Sequence, residues 1–580
     1  MNHQHPIFTA RSECQDCCAC VRHCPVKAIR VENGSATVMA ERCIACGHCV
    51  KVCPVHAKRV RDDLGRLRQL LRSGRTVVAS LAPSYVSEFE GCTPAQLVQA
   101  LKRLGFTAVS ETALGAQEVS AAVADELRDP TPRILLSSAC PVVVDLVYKY
   151  LPAYGQMVTN LASPLLVHCR LLRREFGPDV AIVFIGPCIA KKLEADRYPD
   201  LLELAVTFTD LRLWLHEEHL NPRTLPTDAS DHFVPQAAAE GALYPVDGGM
   251  IAGIKAQCSV ADAGFMALSG VETVLQGLQD LESLRLQRPL FLELLGCAGG
   301  CINGPQAEAS SATVLKRVRV ISRAASPAVG SPRPPTVDAR LDRRLEPIAE
   351  HAYSERQMRE ALARVGKHTG EDELNCSGCG YASCRDFAQA LLAGMTEPTS
   401  CLSYMRKLAQ KKANALIQTM PSGVVIVDAA LNVVECNRRF AEVVGGDAGS
   451  IYDARPGLEG ASLERLAPFL AKLFHQVLEN GEDIPDRDLK HGGRVFTASV
   501  FSIERSRIVG GILRDITEPA VQRDQVIGQA QKVIRRQMET VQKIAYLLVE
   551  NAAESQVSLN AIIESFAGPE AEEKDGGDGG

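Results

Sequence analysis

Leu295-Gly296-Cys297-Ala298-Gly299-Gly300-Cys301-Ile302-Asn303-Gly304 follows directly on an apolar, strand-like run, Leu290–Leu295. A C-x-G-G-C loop at a strand end places two thiols side by side, and its glycines let the backbone approach a bulky group closely. Two further cysteines stand in the same kind of place. Ser137-Ser138-Ala139-Cys140-Pro141 closes the run Ile134–Ser137, and Gly186-Pro187-Cys188-Ile189-Ala190-Lys191-Lys192-Leu193-Glu194 follows Ala181–Ile185. A fourth short β-rich run, Thr76–Leu81, and the helical patterns Pro94–Leu104 and Ser163–Phe176 complete an α/β rhythm. Singly, a cysteine at a strand end is usually a buried structural residue. Together the three loops supply thiolates enough for one [4Fe–4S] cluster.

The rest of the chain agrees with a metal-rich interior. Its 580 residues suggest about four folding units. A net charge of −6 provides no dominant basic face, which argues against nucleic-acid or membrane-surface binding. Met1–Ile7 lacks the apolar core of a signal peptide, and the apolar stretches Ile134–Tyr148 and Val180–Ala190 are short and broken by Pro141 and Pro187. The expected compartment is the cytoplasm, where the 21 clustered cysteines favour metal over disulfides. Two runs near the N-terminus, Cys14-x-x-Cys17-x-x-Cys20-x-x-x-Cys24-Pro25 and Cys43-x-x-Cys46-x-x-Cys49-x-x-x-Cys53-Pro54, have the bacterial ferredoxin spacing. In that spacing the fourth cysteine of each run serves the other cluster. Cys14, Cys17, Cys20 and Cys53 are therefore assigned to one [4Fe–4S] cluster, and Cys43, Cys46, Cys49 and Cys24 to the second.

The three α/β segments resemble, in order and spread, the signature motifs of the [FeFe]-hydrogenase catalytic domain. The resemblance implies that Cys140, Cys188, Cys297 and Cys301 hold the cubane of an H-cluster, with Cys301 also bridging to a diiron subcluster carrying CO and cyanide. It makes Lys191 a donor to cyanide, and Ala82-Pro83-Ser84 the loop that contacts the diiron site through Ser84. The departures are as informative. Catalytic members carry a proton-relaying cysteine where this chain has Ala139, and methionines where it has Gly186 and Leu295. Paired glutamates of the proton route give way to Ala121-Ala122-Val123-Ala124, with Glu118, Asp125 and Glu126 nearby. A chain without a titratable group beside the reacting centre transfers protons slowly. Slow turnover with intact binding favours sensing over bulk catalysis.

After a Pro/Ser/Gly-rich linker, Ser326–Thr336, come Cys376-Ser377-Gly378-Cys379-Gly380-Tyr381-Ala382-Ser383-Cys384 and, beyond a helical stretch Arg385–Met395, Cys401. This resembles the small [4Fe–4S] domain of corrinoid proteins and sensory hydrogenases, with Cys376, Cys379, Cys384 and Cys401 as ligands; zinc is the competing occupant. Ala415–Gly446 resembles the opening of a PAS domain, and Gly511–Glu518 its closing D-I-T motif. Expected PAS strands are Gly423–Asp428, Val495–Ile503 and Ile508–Arg514, and no ligand stands out beyond the lone candidates His475 and Cys436. Apolar residues from Ile527 to Ala552 repeat at three- and four-residue steps, as in a heptad-like seam or an amphipathic helix packed on its own domain.

The expected architecture is multidomain α/β and α+β. It comprises a ferredoxin-like dicluster domain (1–62), an α/β H-cluster domain (75–325), a linker (326–343), a small [4Fe–4S] domain (344–407), a PAS domain (410–518), a C-terminal helix (519–567) and a disordered tail (568–580). Expected partners are hydrogen and protons, a ferredoxin-like redox protein, a downstream kinase or phosphatase, and a second copy of the chain through the PAS domain and its helix. Cys18, Cys92, Cys169, Cys258 and Cys436 read as ordinary thiols. The alternatives are a catalytic hydrogenase with another proton route, and an electron-transfer or redox-sensing PAS protein that carries no diiron site.

Overall fold

The computed structural model describes residues 5–257, 263–308, 311–324, 334–349, 351–516 and 529–541. The chain divides into two compact units, Met1–Tyr404 and Met405–Gly580. Cys258, most of the linker, Thr517 of the D-I-T motif, most of the C-terminal helix and the tail lie outside the described residues.

The first unit begins with a pseudo-symmetric cysteine fold. Strand β1 (Ile7–Thr9) belongs to it, with β2 (Ile29–Glu32), β3 (Ser35–Val38) and β4 (Lys58–Val60). β1 pairs antiparallel with β4, and β2 with β3 around an Asn33-Gly34 turn whose residues both have positive φ (52° and 68°). That is the two-residue turn whose twist matches a hairpin. The halves repeat one left-handed position before each short helix: Cys18 (φ 56°) in the first, Gly47 (φ 79°) in the second. The surplus Cys18 thus fills a backbone position that its repeat gives to glycine.

Seven parallel strands follow: β5 (Val77–Leu81), β6 (Ala108–Glu111), β7 (Ile134–Leu136), β8 (Ala181–Gly186), β9 (Leu204–Thr207), β10 (Gly264–Ser269) and β11 (Leu290–Leu295). They form two sheets, of order β6-β5-β8-β9 and β10-β11-β7. β5 and β8 are buried along their whole length, as strands covered on both faces must be. Pro141 opens the helix Pro141–Tyr150 with Cys140 as its N-cap residue, so proline ends the loop and starts the helix at the thiol. The described end of the linker lies along the helix Pro164–Phe176: Arg170 donates to Asp338 O and Arg340 O, and Ala162 N–H to Ala339 O at 2.7 Å. The small cysteine segment, with helices Glu355–Ala363 and Cys384–Leu392, shares one hydrophobic core with the N-terminal fold and with β7 and β11.

A buried ion cluster joins the N-terminal fold to the α/β part. Lys192, fully buried, donates to Arg61 O (2.8 Å), Asp63 Oδ2 (3.0 Å) and Asp210 Oδ2 (3.2 Å). Burial pushes the Asp63 carboxyl up, but Lys192 and Arg61 together hold it below its ordinary value. A depressed carboxylate stabilises the fold above the unfolded pKa of ~4 and loses that contribution as pH falls through the folded value. Lys192→Met leaves Asp63 and Asp210 short of a buried partner. It is expected to cost about 3 kcal/mol at pH 7, read as a lower calorimetric transition, and to flatten the acid side of the stability profile.

The second unit holds a five-stranded antiparallel sheet of order β13-β12-β16-β15-β14, made of β12 (Gly423–Asp428), β13 (Val433–Cys436), β14 (Ile484–His491), β15 (Arg494–Glu504) and β16 (Ile508–Asp515). The helix Pro468–Asn480 lays Phe474 on the sheet at Gly511, where a Cβ would stand 2.3 Å from the ring. Fully buried Asn437 accepts from Val424 N–H and Phe440 N–H and donates to Ile417 O and Ser422 O. One amide side chain thereby joins the incoming helix, the first strand and the next helix.

Candidate metal centre

The loops after β5, β7, β8 and β11 all leave the C-terminal ends of parallel strands, where open α/β sheets place their sites. They bring Cys140, Cys188, Cys297 and Cys301 together. The thiols of Cys140 and Cys188 both act electrostatically on Cys301, and those of Cys301, Cys188 and Cys140 all act on Cys297. Burial pushes Cys188 up to about 11 and Cys297 and Cys301 higher still, so as free thiols they stay protonated. Each of the four thiol residues keeps partial accessible surface.

Gly300, at φ +97°, leaves no room for a side chain: a Cβ would stand 2.2 Å from Pro245 O. Gly296 N–H donates to Cys140 Sγ at 3.4 Å. Ser84, in the loop after β5, is buried, and its hydroxyl has no partner within the protein. A buried, unpaired hydroxyl is costly unless something else accepts its hydrogen bond. Lys191 is buried rather than solvated; its ammonium pairs with Glu194 and donates to Ser163 Oγ at 3.0 Å. Those contacts take two of its three donors.

The hydroxyls beside Ala139 are taken. Ser137 Oγ donates to Met250 Sδ, and Ser138 Oγ to Leu161 O while bonding Thr159. The nearby acids point to other work. Glu118 accepts from the Thr336 backbone, Asp125 pairs with Arg128 in solvent, and Glu111 accepts from Ala238 N–H. Sequence reasoning missed Glu293, a carboxyl within the apolar run of β11 that is 1 % exposed. Burial raises it to about 7; it accepts from Gly248 N–H and Ile251 N–H and acts on Cys301. A lone acid in the middle of a buried strand was the signal available.

Three other groups of thiols are brought near one another. Cys20 feels Cys17, Cys14 and Cys53, and Cys49 feels Cys46, Cys43 and Cys24. Cys24, Cys43, Cys46 and Cys49 line a small hollow walled by Ile7, Val26 and Ile29. Cys376, Cys379, Cys384 and Cys401 line another beside Tyr381 and Phe387. Among the described residues no three His, Cys, Asp or Glu side chains are grouped to hold a single ion. Of the remaining described thiols, Cys169 and Cys436 are fully buried, burial lifts Cys18 to about 12, and Cys92 is half-buried. His475 is exposed beside Glu464.

The N-terminal fold abuts the α/β loops. A Cβ on Gly47, between Cys46 and Cys49, would meet Pro305 at 2.4 Å and Ile189 at 2.9 Å, and Lys51 donates to Asn303 O at 2.8 Å. Among the described residues no helix is long and apolar enough to cross a membrane.

Comparison with protein families matches residues 75–305 to the iron only hydrogenase large subunit, C-terminal domain. Residues 6–54 match a 4Fe-4S dicluster domain, 372–413 an Fe-S cluster family and 412–482 a PAS domain. No curated protein matches the chain. Among solved structures, a variant [FeFe]-hydrogenase from Chlamydomonas reinhardtii is 18% identical, with TM-score 0.38 over 45% of this chain and 88% of its own. A domain of an HTR-like protein from Haloarcula marismortui is 22% identical, with TM-score 0.14 over 17% of this chain and 100% of its own. The photoactive yellow protein domain of a sensor histidine kinase from Rhodospirillum centenum is 14% identical, with TM-score 0.14 over 17% and 90%.

Proposed function

We propose that this chain, which carries an iron-only hydrogenase large-subunit domain with dicluster, Fe–S and PAS domains, is a sensory [FeFe]-hydrogenase: it engages hydrogen at an H-cluster and reports the resulting redox state through its PAS domain. The observation that supports this reading is the mutual proximity of the Cys140, Cys188, Cys297 and Cys301 thiols, which act electrostatically on one another. These thiolates would hold the cubane, with Cys301 shared with the diiron subcluster. When bound, that centre supplies the heterolytic cleavage of hydrogen. Ser84 and the remaining donor of Lys191 offer hydrogen bonds to its anionic ligands. Ala139 holds no proton, Ser137 and Ser138 are already engaged, and Glu293 is held by the Gly248 and Ile251 amides, so proton delivery is slow and binding outlasts turnover.

Cys14, Cys17, Cys20 and Cys53, Cys43, Cys46, Cys49 and Cys24, and Cys376, Cys379, Cys384 and Cys401 would each hold a [4Fe–4S] cluster. Their redox state would bias two arrangements of the PAS domain, a shift no larger than the differential stability of those arrangements allows. Infrared spectroscopy of the maturated protein, with and without hydrogen, tests the proposal. CO and cyanide bands that shift with hydrogen are expected; their absence would leave an electron-carrying, redox-sensing PAS protein.

Ser84→Ala separates structural from ligand roles. The hydroxyl has no protein partner to lose. Thermal unfolding of the chain without the diiron group is expected to change by less than about 1 kcal/mol, while the cyanide bands of the maturated protein shift.

A further inference from the structure

The N-terminal fold and the small cysteine segment meet along a face that thiol ligation alone does not require. Lys27 stands at its centre. It is half-buried, and its ammonium donates to Val21 O (3.0 Å), Arg22 O (3.1 Å) and Gly380 O (2.8 Å), which uses all three donors. It also lies 5.9 Å from the centroid of the Tyr381 ring. Gly380, at φ +90°, touches the N-terminal fold so closely that a Cβ would stand 2.8 Å from Val21 Cγ1. Val31 N–H donates to Met395 O at 2.9 Å, and Asn33 N–H to Glu397 Oε1 at 2.8 Å. The contact therefore runs nearly the length of the segment between Cys376 and Cys401. Burial lowers the Lys27 pKa, and Cys24, Asp386 and Cys379 oppose that shift. Its charge thus acts on a thiol of each group, Cys24 and Cys379.

We infer that Lys27 is a positioning residue that couples the Cys24 group to the Cys376–Cys401 group, so that the small segment reads the cluster adjoining the hydrogenase-like loops. This rests on the proposal that both groups hold [4Fe–4S] clusters. A fixed cation near two clusters favours the extra electron on each. In a one-electron exchange between them, one group loses the electron that the other gains, and no proton or further reactant is needed. The groups that meet at Lys27 are the one against Ile189 and Pro305 and the one at the far end of the first unit's sequence.

The test is an EPR-monitored redox titration of the full chain reconstituted with iron and sulfide, without diiron maturation, with the small-segment signal assigned by its loss in Cys376→Ser. In Lys27→Met both coupled signals are expected to become about tenfold harder to reduce, a shift of ~59 mV for a one-electron couple. The Cys14 group is expected to stay in place, and Lys27→Arg to restore the native values. Unmoved potentials in an iron-replete Lys27→Met protein, or equal shifts of all three clusters, would overturn the inference alone. Zinc in the small segment would overturn it together with the cofactor reading beneath it.

Discussion

An Ala139→Cys variant is expected to turn over hydrogen about 10²–10⁴-fold faster than the native chain, the range a positioned proton carrier contributes. Residue 139 precedes Cys140 at the end of β7 and is half-buried, so a thiol there adds one titratable atom next to the proposed cluster. The neighbouring hydroxyls cannot do this work, because Ser137 is engaged with Met250 and Ser138 with Thr159 and Leu161. Neither can the acids on the helix Ala113–Glu126, whose residues 121–124 are buried alanines and valine. Hydrogen-dependent reduction of a viologen dye measures the gain. Fast native turnover that barely rises in the variant would show that another group carries the proton, and would recast the protein as a working hydrogenase.

Cys301→Ser has the opposite and larger effect. The proposal makes this one sulfur common to the cubane and the diiron centre, so its loss is expected to abolish the CO and cyanide bands and every hydrogen-dependent spectral change. The two N-terminal thiol groups and the small segment each have their own cysteines. Their EPR signals are therefore expected to survive, which distinguishes a missing ligand from a misfolded chain. Bands that persist in Cys301→Ser would mean that the diiron centre is anchored elsewhere.

Much of the fold could be read in advance because its signals are local. Gly423–Asp428 and Leu290–Leu295 are strands with the bounds their β-rich runs suggest. Pro94 and Pro164 open helices where Thr93 and Ser163 cap them. Strand β14 was not legible: Ile-Pro-Asp-Arg-Asp-Leu-Lys-His is largely exposed and lacks the alternation that marks a half-buried strand. Its place comes from pairing with β15, a partner that composition does not reveal. The division of the parallel strands into two sheets was likewise hidden, since β7 and β8 read alike as apolar runs but pair with different neighbours.

The site divides the same way. Spacing alone marked the eight N-terminal cysteines as ligand candidates and led to the expectation that the fourth of each ferredoxin-type run serves the other, because thiols two or three residues apart reach one corner of whatever they bind. The resemblance to hydrogenase motifs, rather than spacing, marked Ala139 as the position where catalytic members carry a cysteine. Only the tertiary structure decided that Lys191 is buried against Glu194, that Ser84 carries an unpartnered hydroxyl, that Glu293 stands behind Cys301, and that Lys27 joins two thiol groups. Those facts depend on contacts between residues far apart in the chain, up to Lys27 and Gly380, and on water being excluded from them. Periodicity and spacing register neither long-range proximity nor desolvation, and both come into being only when the strands and loops close on one another.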